Sequence, residues 1–154
     1  KKRQSELGIK NTKVIHMTPR GRLLSHGEVK RLVTCEGLVI IASRYEGIDE
    51  RVNDWIDEEI SIGDYVITGG EMAACILSDS IIRLIPGVFS DETSALSDSF
   101  QDNLLAPPIY TRPAEYNGWR VPSVLLSGNQ AEISAWREEQ SISRTKNLRP
   151  DLLK

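Results

Sequence analysis

The sequence is poor in the residues that staple or poise small proteins. It has two cysteines, Cys35 and Cys75, two histidines and no C-x-x-C pair. That excludes a disulfide framework and a structural zinc knuckle. It fits a reduced, cytosolic chain with two small buried thiols and no metal held by protein ligands alone. No apolar run approaches the ~20 residues that span a bilayer, so no membrane partner is expected. The opening KKRQSELGIK is basic but polar and feeds no long apolar segment, which argues against a signal peptide. Beginning on Lys rather than Met, the chain is expected to lack its earliest residues. Two phosphate-binding fingerprints are absent as well, the Walker spacing and G-x-G-x-x-G. Positive charge is scarce through the middle, where residues 46–102 hold fourteen acids against Arg51 and Arg83 alone. Residues 1–31 carry nine Lys or Arg against two acids, and residues 103–154 seven against five. Only the two ends could therefore supply the basic footprint of a nucleic-acid binder. Solvated surface is the plainer reading of the same charges.

What is present suits an α/β fold with a parallel sheet. The 154 residues, 40% hydrophobic and 27% charged, suffice for one domain with a core, or a core domain with a small appendage. Lys13–Met17 predicts a strand that opens into a loop at Thr18-Pro19-Arg20-Gly21. Ser25-His26-Gly27-Glu28 has the form of a capping box, with Val29, Leu32 and Val33 as the inner face of a helix ended by Gly37. Leu38–Ala42 is continuously apolar and predicts a strand covered on both faces, followed by a loop at Ser43–Gly47. Ile48, Val52 and Trp55 fall on one face of a predicted helix. Ile62, Tyr65, Val66 and Ile67 are strand formers suited to a buried layer. Gly69-Gly70 then leads into a helix from Glu71, with Met72, Cys75, Ile76, Ile82 and Leu84 at helical spacing and Pro86-Gly87 as its stop. Residues 89–108 lack periodicity and predict a long loop. Pro107, Pro108 and Pro113 predict an extended stretch, and Ile133, Trp136 and Arg137 the start of a last helix.

Three loops, at residues 18–21, 43–47 and 61–70, thus fall at the carboxyl ends of three strands, the edge where open parallel sheets bind ligands. Their exposed backbone and few cations suit a nucleoside-type ligand better than a bare triphosphate. A tight strand-to-helix connection without a ligand accounts equally for Gly69-Gly70.

These same segments carry a resemblance. Arg44-Tyr45-Glu46-Gly47-Ile48-Asp49-Glu50-Arg51, Ser61-Ile62-Gly63-Asp64-Tyr65 and Gly69-Gly70-Glu71 resemble the bacterial tRNA (guanine-N1)-methyltransferase family of the SPOUT superfamily. Ile85-Pro86-Gly87-Val88, Asp98-Ser99-Phe100, Tyr110-Thr111-Arg112-Pro113, Val124–Asn129 and Arg149-Pro150 continue the series in order. The resemblance implies a homodimer, a trefoil-knotted α/β domain over residues 1–88 without its N-terminal part, a flexible linker at 89–107, and an incomplete helical tRNA-binding domain at 108–154. It implies S-adenosylmethionine as methyl donor and N1 of guanosine 37 in tRNA as acceptor. His16, Met17 and Pro19 match the donor contacts of the first loop, and Ser43, Tyr45 and Glu46 those of the second. Ser61, Ile62, Gly63, Asp64, Tyr65, Val66, Ile67, Gly69 and Gly70 match the third. The family usually has Gly where Ser43 stands and often His where Gln130 stands.

Guanine N1 carries a proton and is a poor nucleophile. Methylating it needs a base near N1 and a donor or cation at O6. Asp98 matches the family's base and Arg83 its partner, with Ser99 as an assistant. Read without the resemblance, Asp98 is a turn aspartate and Arg83 a residue near a helix C-terminus. The loop bearing Asp98 is expected to order with tRNA and donor bound. Glu46, Asp98 and the donor carboxylate together would suit Mg²⁺. The alternatives are another SPOUT RNA methyltransferase, or a non-catalytic nucleoside- or RNA-binding module.

Overall fold

The computed structural model describes residues 2–88 and 98–154; the first part of the expected linker, residues 89–97, lies outside the described residues. The chain divides into two units, Lys1–Glu92 and Thr93–Lys154.

The first unit is a three-stranded parallel sheet with helices. After a short helix α1 (Lys2–Glu6) come β1 (Thr12–Leu23), α2 (His26–Val33), β2 (Gly37–Ala42), a 3₁₀ turn (Glu50–Trp55), β3 (Glu58–Ser61) and α3 (Glu71–Ile82). The strand order is β2-β1-β3. β1 is therefore central, and Val14, Ile15, His16 and Met17 are all buried. The strand covered on both faces is thus KVIHM rather than LVIIA. β2 lies at the edge of the three strands, and its Val39 is 38% exposed. Side chains alternate along a strand, so Ile15 and Met17 share one face. With Ile60 they meet Val29 and Leu32 of α2 and Ala73, Leu77 and Ile81 of α3 in one apolar cluster.

Several local expectations are corrected. Thr18–Gly21 does not end β1. The strand continues through a bulge, with Met17 and Arg22 both opposite Ile60. Pro19, which has no N–H to give a ladder, is tolerated there. Ser25 caps α2 as read, accepting from Glu28 N at 3.3 Å, but the helix ends at Thr34, and Gly37 opens β2. Ile62, Tyr65, Val66 and Ile67 are not strand: β3 stops at Ser61, and Tyr65, Val66 and Ile67 are exposed. Trp55 is exposed at the end of a 3₁₀ turn, not on an inner helical face. In α3 the inner face is Ala73, Leu77 and Ile81, and Met72, Cys75, Ile76 and Ile82 point outward. That helix is apolar almost all round, so spacing alone could not choose the face. The thiols are not buried either: Cys35 is half-buried, Cys75 is exposed, and both are free.

The second unit holds a two-residue-per-strand hairpin, Glu115–Tyr116 with Trp119–Arg120, a short helix Ser123–Leu126 and a long one, Gln130–Leu148. The local signal for this hairpin is Asn117-Gly118, the type I′ pair, and both residues have positive φ, 50° and 83°. The long helix starts three residues before Ile133, capped by Asn129, whose side chain accepts from Ala131 N. It buries Ile133, Ser141 and Thr145; Thr145 Oγ1 takes the Leu105 N–H at 2.9 Å and so ties down the extended stretch. Among the described residues, no helix is long and apolar enough to cross a membrane.

Under the sheet one carboxylate gathers three cations. Glu58, its side chain 14% exposed, contacts Lys13, Arg22 and Arg31, and Glu28 shares Arg22 and Arg31. Burial pushes the Glu58 carboxyl up, but hydrogen bonds from Arg31 and Lys13 outweigh it and leave it below its ordinary value. A depressed carboxylate stabilises the fold above its unfolded pKa, and that contribution is lost as pH falls through the folded value. Glu58→Gln should therefore lower the melting temperature by about 4 °C at pH 7. The gap to wild type should close as pH drops below ~4, and a gap that persisted in acid would contradict this account.

Candidate functional site

A cleft of about 220 Å³ opens beside the bulge of β1 and past the carboxyl ends of β2 and β3. It is lined by Met17, Thr18 and Pro19 where β1 bulges, and from the second loop by Ser43, Arg44, Tyr45, Glu46 and Gly47. The end of β3 and the third loop supply Ile60, Ser61, Ile62, Gly63, Tyr65, Val66, Ile67, Thr68, Gly69 and Gly70, with Ala73 of α3 beneath. Of the donor contacts expected in these loops, all but His16 and Asp64 line it. His16 lies behind the wall, 1% exposed. Thr18, Arg44, Gly47, Ile60, Thr68 and Ala73 line the cleft without having been singled out. Thr18, Arg44, Gly47 and Thr68 lie inside the three predicted loops, and loop position is the signal that marks them.

Local chemistry explains each wall. At the end of β3, Ser61 Oγ accepts from Gly63 N and donates to Gly63 O, both at 3.2 Å, turning the chain sharply. Tyr65 OH donates to Ile62 O at 3.4 Å, which lays its ring back over the turn. In the second loop, Gly47 N–H donates to Arg44 O, and Tyr45 takes a left-handed φ of 56° with its side chain fully exposed. A bulky residue held at positive φ is an uncommon conformation of the kind that collects at ligand sites.

The second and third loops are clamped together. Gly70 N–H donates to Ser43 O at 2.8 Å, and Arg44 bridges to Gly69. Arg44 Nε lies 2.5 Å from Glu71 Oε1, and this hydrogen bond holds the Glu71 carboxyl below its ordinary value. The approach needs glycine: a Cβ on Gly70 would sit 3.0 Å from both Ala42 Cα and Ser43 N. What results is a pocket with apolar side chains on one wall, bare backbone on another, and a single cation, Arg44, already paired. Such a surface can hold a flat, uncharged base and hydrogen-bond its edges; it is not built for a phosphate chain.

The two residues expected to do chemistry lie apart in sequence and in different units. Arg83 caps the C-terminus of α3, its N–H on Asp79 O. Asp98 opens the described part of the second unit. It precedes a tight turn in which Ser99 Oγ accepts from Ala106 N at 2.9 Å and Phe100 N–H donates to Leu104 O at 2.7 Å. Among the described residues, no group of three or more His, Cys, Asp or Glu is arranged to hold a metal ion.

Residues 2–154 match the family described as tRNA (Guanine-1)-methyltransferase TrmD. The chain belongs to the tRNA (guanine-1)-methyltransferase family. Among its relatives are proteins named tRNA (guanine-N(1)-)-methyltransferase. That of Christiangramia forsetii is 60% identical over 141 residues, 91% of this chain and 62% of the relative. That of Flavobacterium johnsoniae is 57% identical over 141 residues, again 91% and 62%. That of Porphyromonas gingivalis strain ATCC 33277 is 57% identical over 142 residues, 92% and 63%. The chain thus spans about 62% of the length of these curated relatives. For a chain of this family the three-stranded parallel sheet is the expected type of domain.

Gly70→Ala tests the clamp. It should force the turn away from Ala42 and Ser43 and destabilise the first unit by about 1–3 kcal/mol, read as a lower midpoint in urea unfolding. An unchanged midpoint would mean the two loops have room to spare.

Proposed function

We propose that this protein transfers a methyl group from S-adenosylmethionine to N1 of guanosine 37 in tRNA. The observation that carries the proposal is the convergence of the three family-matching loops on one cleft. Its residues suit the donor. Exposed Tyr65, Val66 and Ile67 offer apolar surface to a base, Gly69 and Gly70 offer close backbone, and the one cation is neutralised by Glu71. When bound, the donor supplies an electrophilic methyl group. Met17, Pro19, Ser43, Tyr45, Glu46 and residues 61–70 hold it in this reading, with His16 behind them.

The chain's own part in the chemistry falls to Asp98 and Arg83. Asp98 takes the N1 proton, which makes N1 nucleophilic; Arg83 stabilises the charge that develops on O6, or holds Asp98 in place. Mg²⁺, a hard ion, would draw on Glu46, Asp98 and the donor carboxylate. The wider organisation follows the same reading. Residues 1–88 form the donor domain, threaded as a trefoil knot, 89–107 the linker, and 108–154 a domain that grips tRNA from across a homodimer. The outward apolar residues of α3, Met72, Ile76 and Ile82, are the kind of surface a partner subunit covers. A tRNA substrate places the work in the cytoplasm.

Methyl incorporation into tRNA, followed beside calorimetric binding of S-adenosylhomocysteine, tests this reading. Asp98→Asn should bind the nucleoside like wild type and lose at least about a hundredfold in turnover, the usual worth of a general base. Wild-type turnover by that variant would remove Asp98 from the base role, and methylation of any atom other than guanosine 37 N1 would overturn the substrate assignment.

A further inference from the structure

His16 stands in the middle of the central strand with no opening to the cleft. The parallel register sets it beside Ile41 of β2 and Glu59 of β3. Each ring nitrogen has one partner: Nδ1 lies 3.4 Å from Glu59 Oε1, and Nε2 lies 3.0 Å from Ser43 Oγ. Glu59 itself accepts from Arg20 Nη2 at 2.8 Å. A carboxylate in such a pair has acceptor oxygens only. A singly protonated imidazole can then satisfy both neighbours in one way. Its proton sits on Nδ1 and goes to Glu59, and the lone pair on Nε2 receives the Ser43 hydroxyl. Ser43 has a single hydroxyl proton. Committed to His16, it leaves only oxygen lone pairs on the side chain of a residue that lines the cleft.

We propose that His16 is a positioning residue that fixes Ser43 as a hydrogen-bond acceptor in the cleft wall, so that the pair selects a ligand group bearing N–H or O–H, an amino or a hydroxyl. The inference rests on the reading of the cleft as the donor site. Ser43 is anchored twice, by its side chain to β1 through His16 and by its carbonyl to the third loop through the Gly70 N–H. An apolar residue would fill the His16 position without the cost of burying two polar nitrogens, a cost offset only when both are hydrogen-bonded.

Two measurements test this. In ¹⁵N-resolved spectra of the histidine rings, with His26→Gln used to assign the second ring, His16 should be protonated on Nδ1 and bare on Nε2. Ser43→Ala should shift the Nε2 resonance. Protonation on Nε2 instead would overturn the proposal whether or not the cleft binds the donor. In calorimetric titrations with S-adenosylhomocysteine, His16→Phe and Ser43→Ala should each weaken binding about fivefold, with no further loss in the double variant. His16→Gln, which keeps an acceptor near the place of Nε2, should recover most of the affinity. Additive losses, or a Gln variant as weak as Phe, would show that His16 does not act through Ser43. A wild-type protein that bound no nucleoside at all would sink the donor-site reading, and the ring tautomer alone would then decide the pair.

Discussion

The cleft exists because the backbone of Gly70 comes within hydrogen-bonding distance of Ser43. That contact joins the turn before α3 to the end of β2, and a side chain on residue 70 would meet backbone at 3.0 Å. Everything along the rim follows from it. Arg44 reaches Glu71 because its loop is drawn toward Gly69, and the third loop is held so that Tyr65, Val66 and Ile67 face outward as a wall rather than inward as core. A close backbone approach of this kind cannot be replaced by a side-chain contact elsewhere, since it sets where two chain segments run.

Beneath the rim, β1 carries the load. As the middle strand it is buried on both faces, and the two faces do different work. Ile15 and Met17 enter the apolar cluster with α2 and α3, whereas His16 sits among polar partners that lead to Ser43. One strand thereby couples the stability of the unit to the geometry of its cleft. The charges divide between two networks, one of which reaches the cleft: Glu58 collects Lys13, Arg22 and Arg31, while its neighbour Glu59 turns to Arg20 and His16. Adjacent strand residues point to opposite faces, so consecutive glutamates serve two separate networks.

Much of this was legible in the residues. The Ser25 cap, the alternation of strands and helices, and the loops that follow β2 and β3 are written in local patterns of three to five residues, whereas Thr18–Gly21 reads as a loop but is a bulge that β1 runs through. The Asn117-Gly118 turn was equally legible. Where the reading failed, the residues were ambiguous to any local rule. Ile62, Tyr65, Val66 and Ile67 have the propensity of a strand, but β3 ends at Ser61, where the hydroxyl bonded to Gly63 N and O turns the chain out of the sheet. Propensity is a weak preference that tertiary context overrides.

The sequence alone determined the class of the fold, the Ser25 cap and the loops after β2 and β3 that line the cleft, because each depends on side chains close together along the chain. Tertiary structure decided which apolar run is central, which face of α3 is buried, and that His16 braces the cleft wall instead of lining it. These depend on what lies across the sheet. Strand order makes KVIHM the doubly covered strand, α3 chooses the Ala73, Leu77 and Ile81 face because the sheet and α2 meet it there, and the parallel pairing of β1 with β2 and β3 brings His16, Ser43 and Glu59 together.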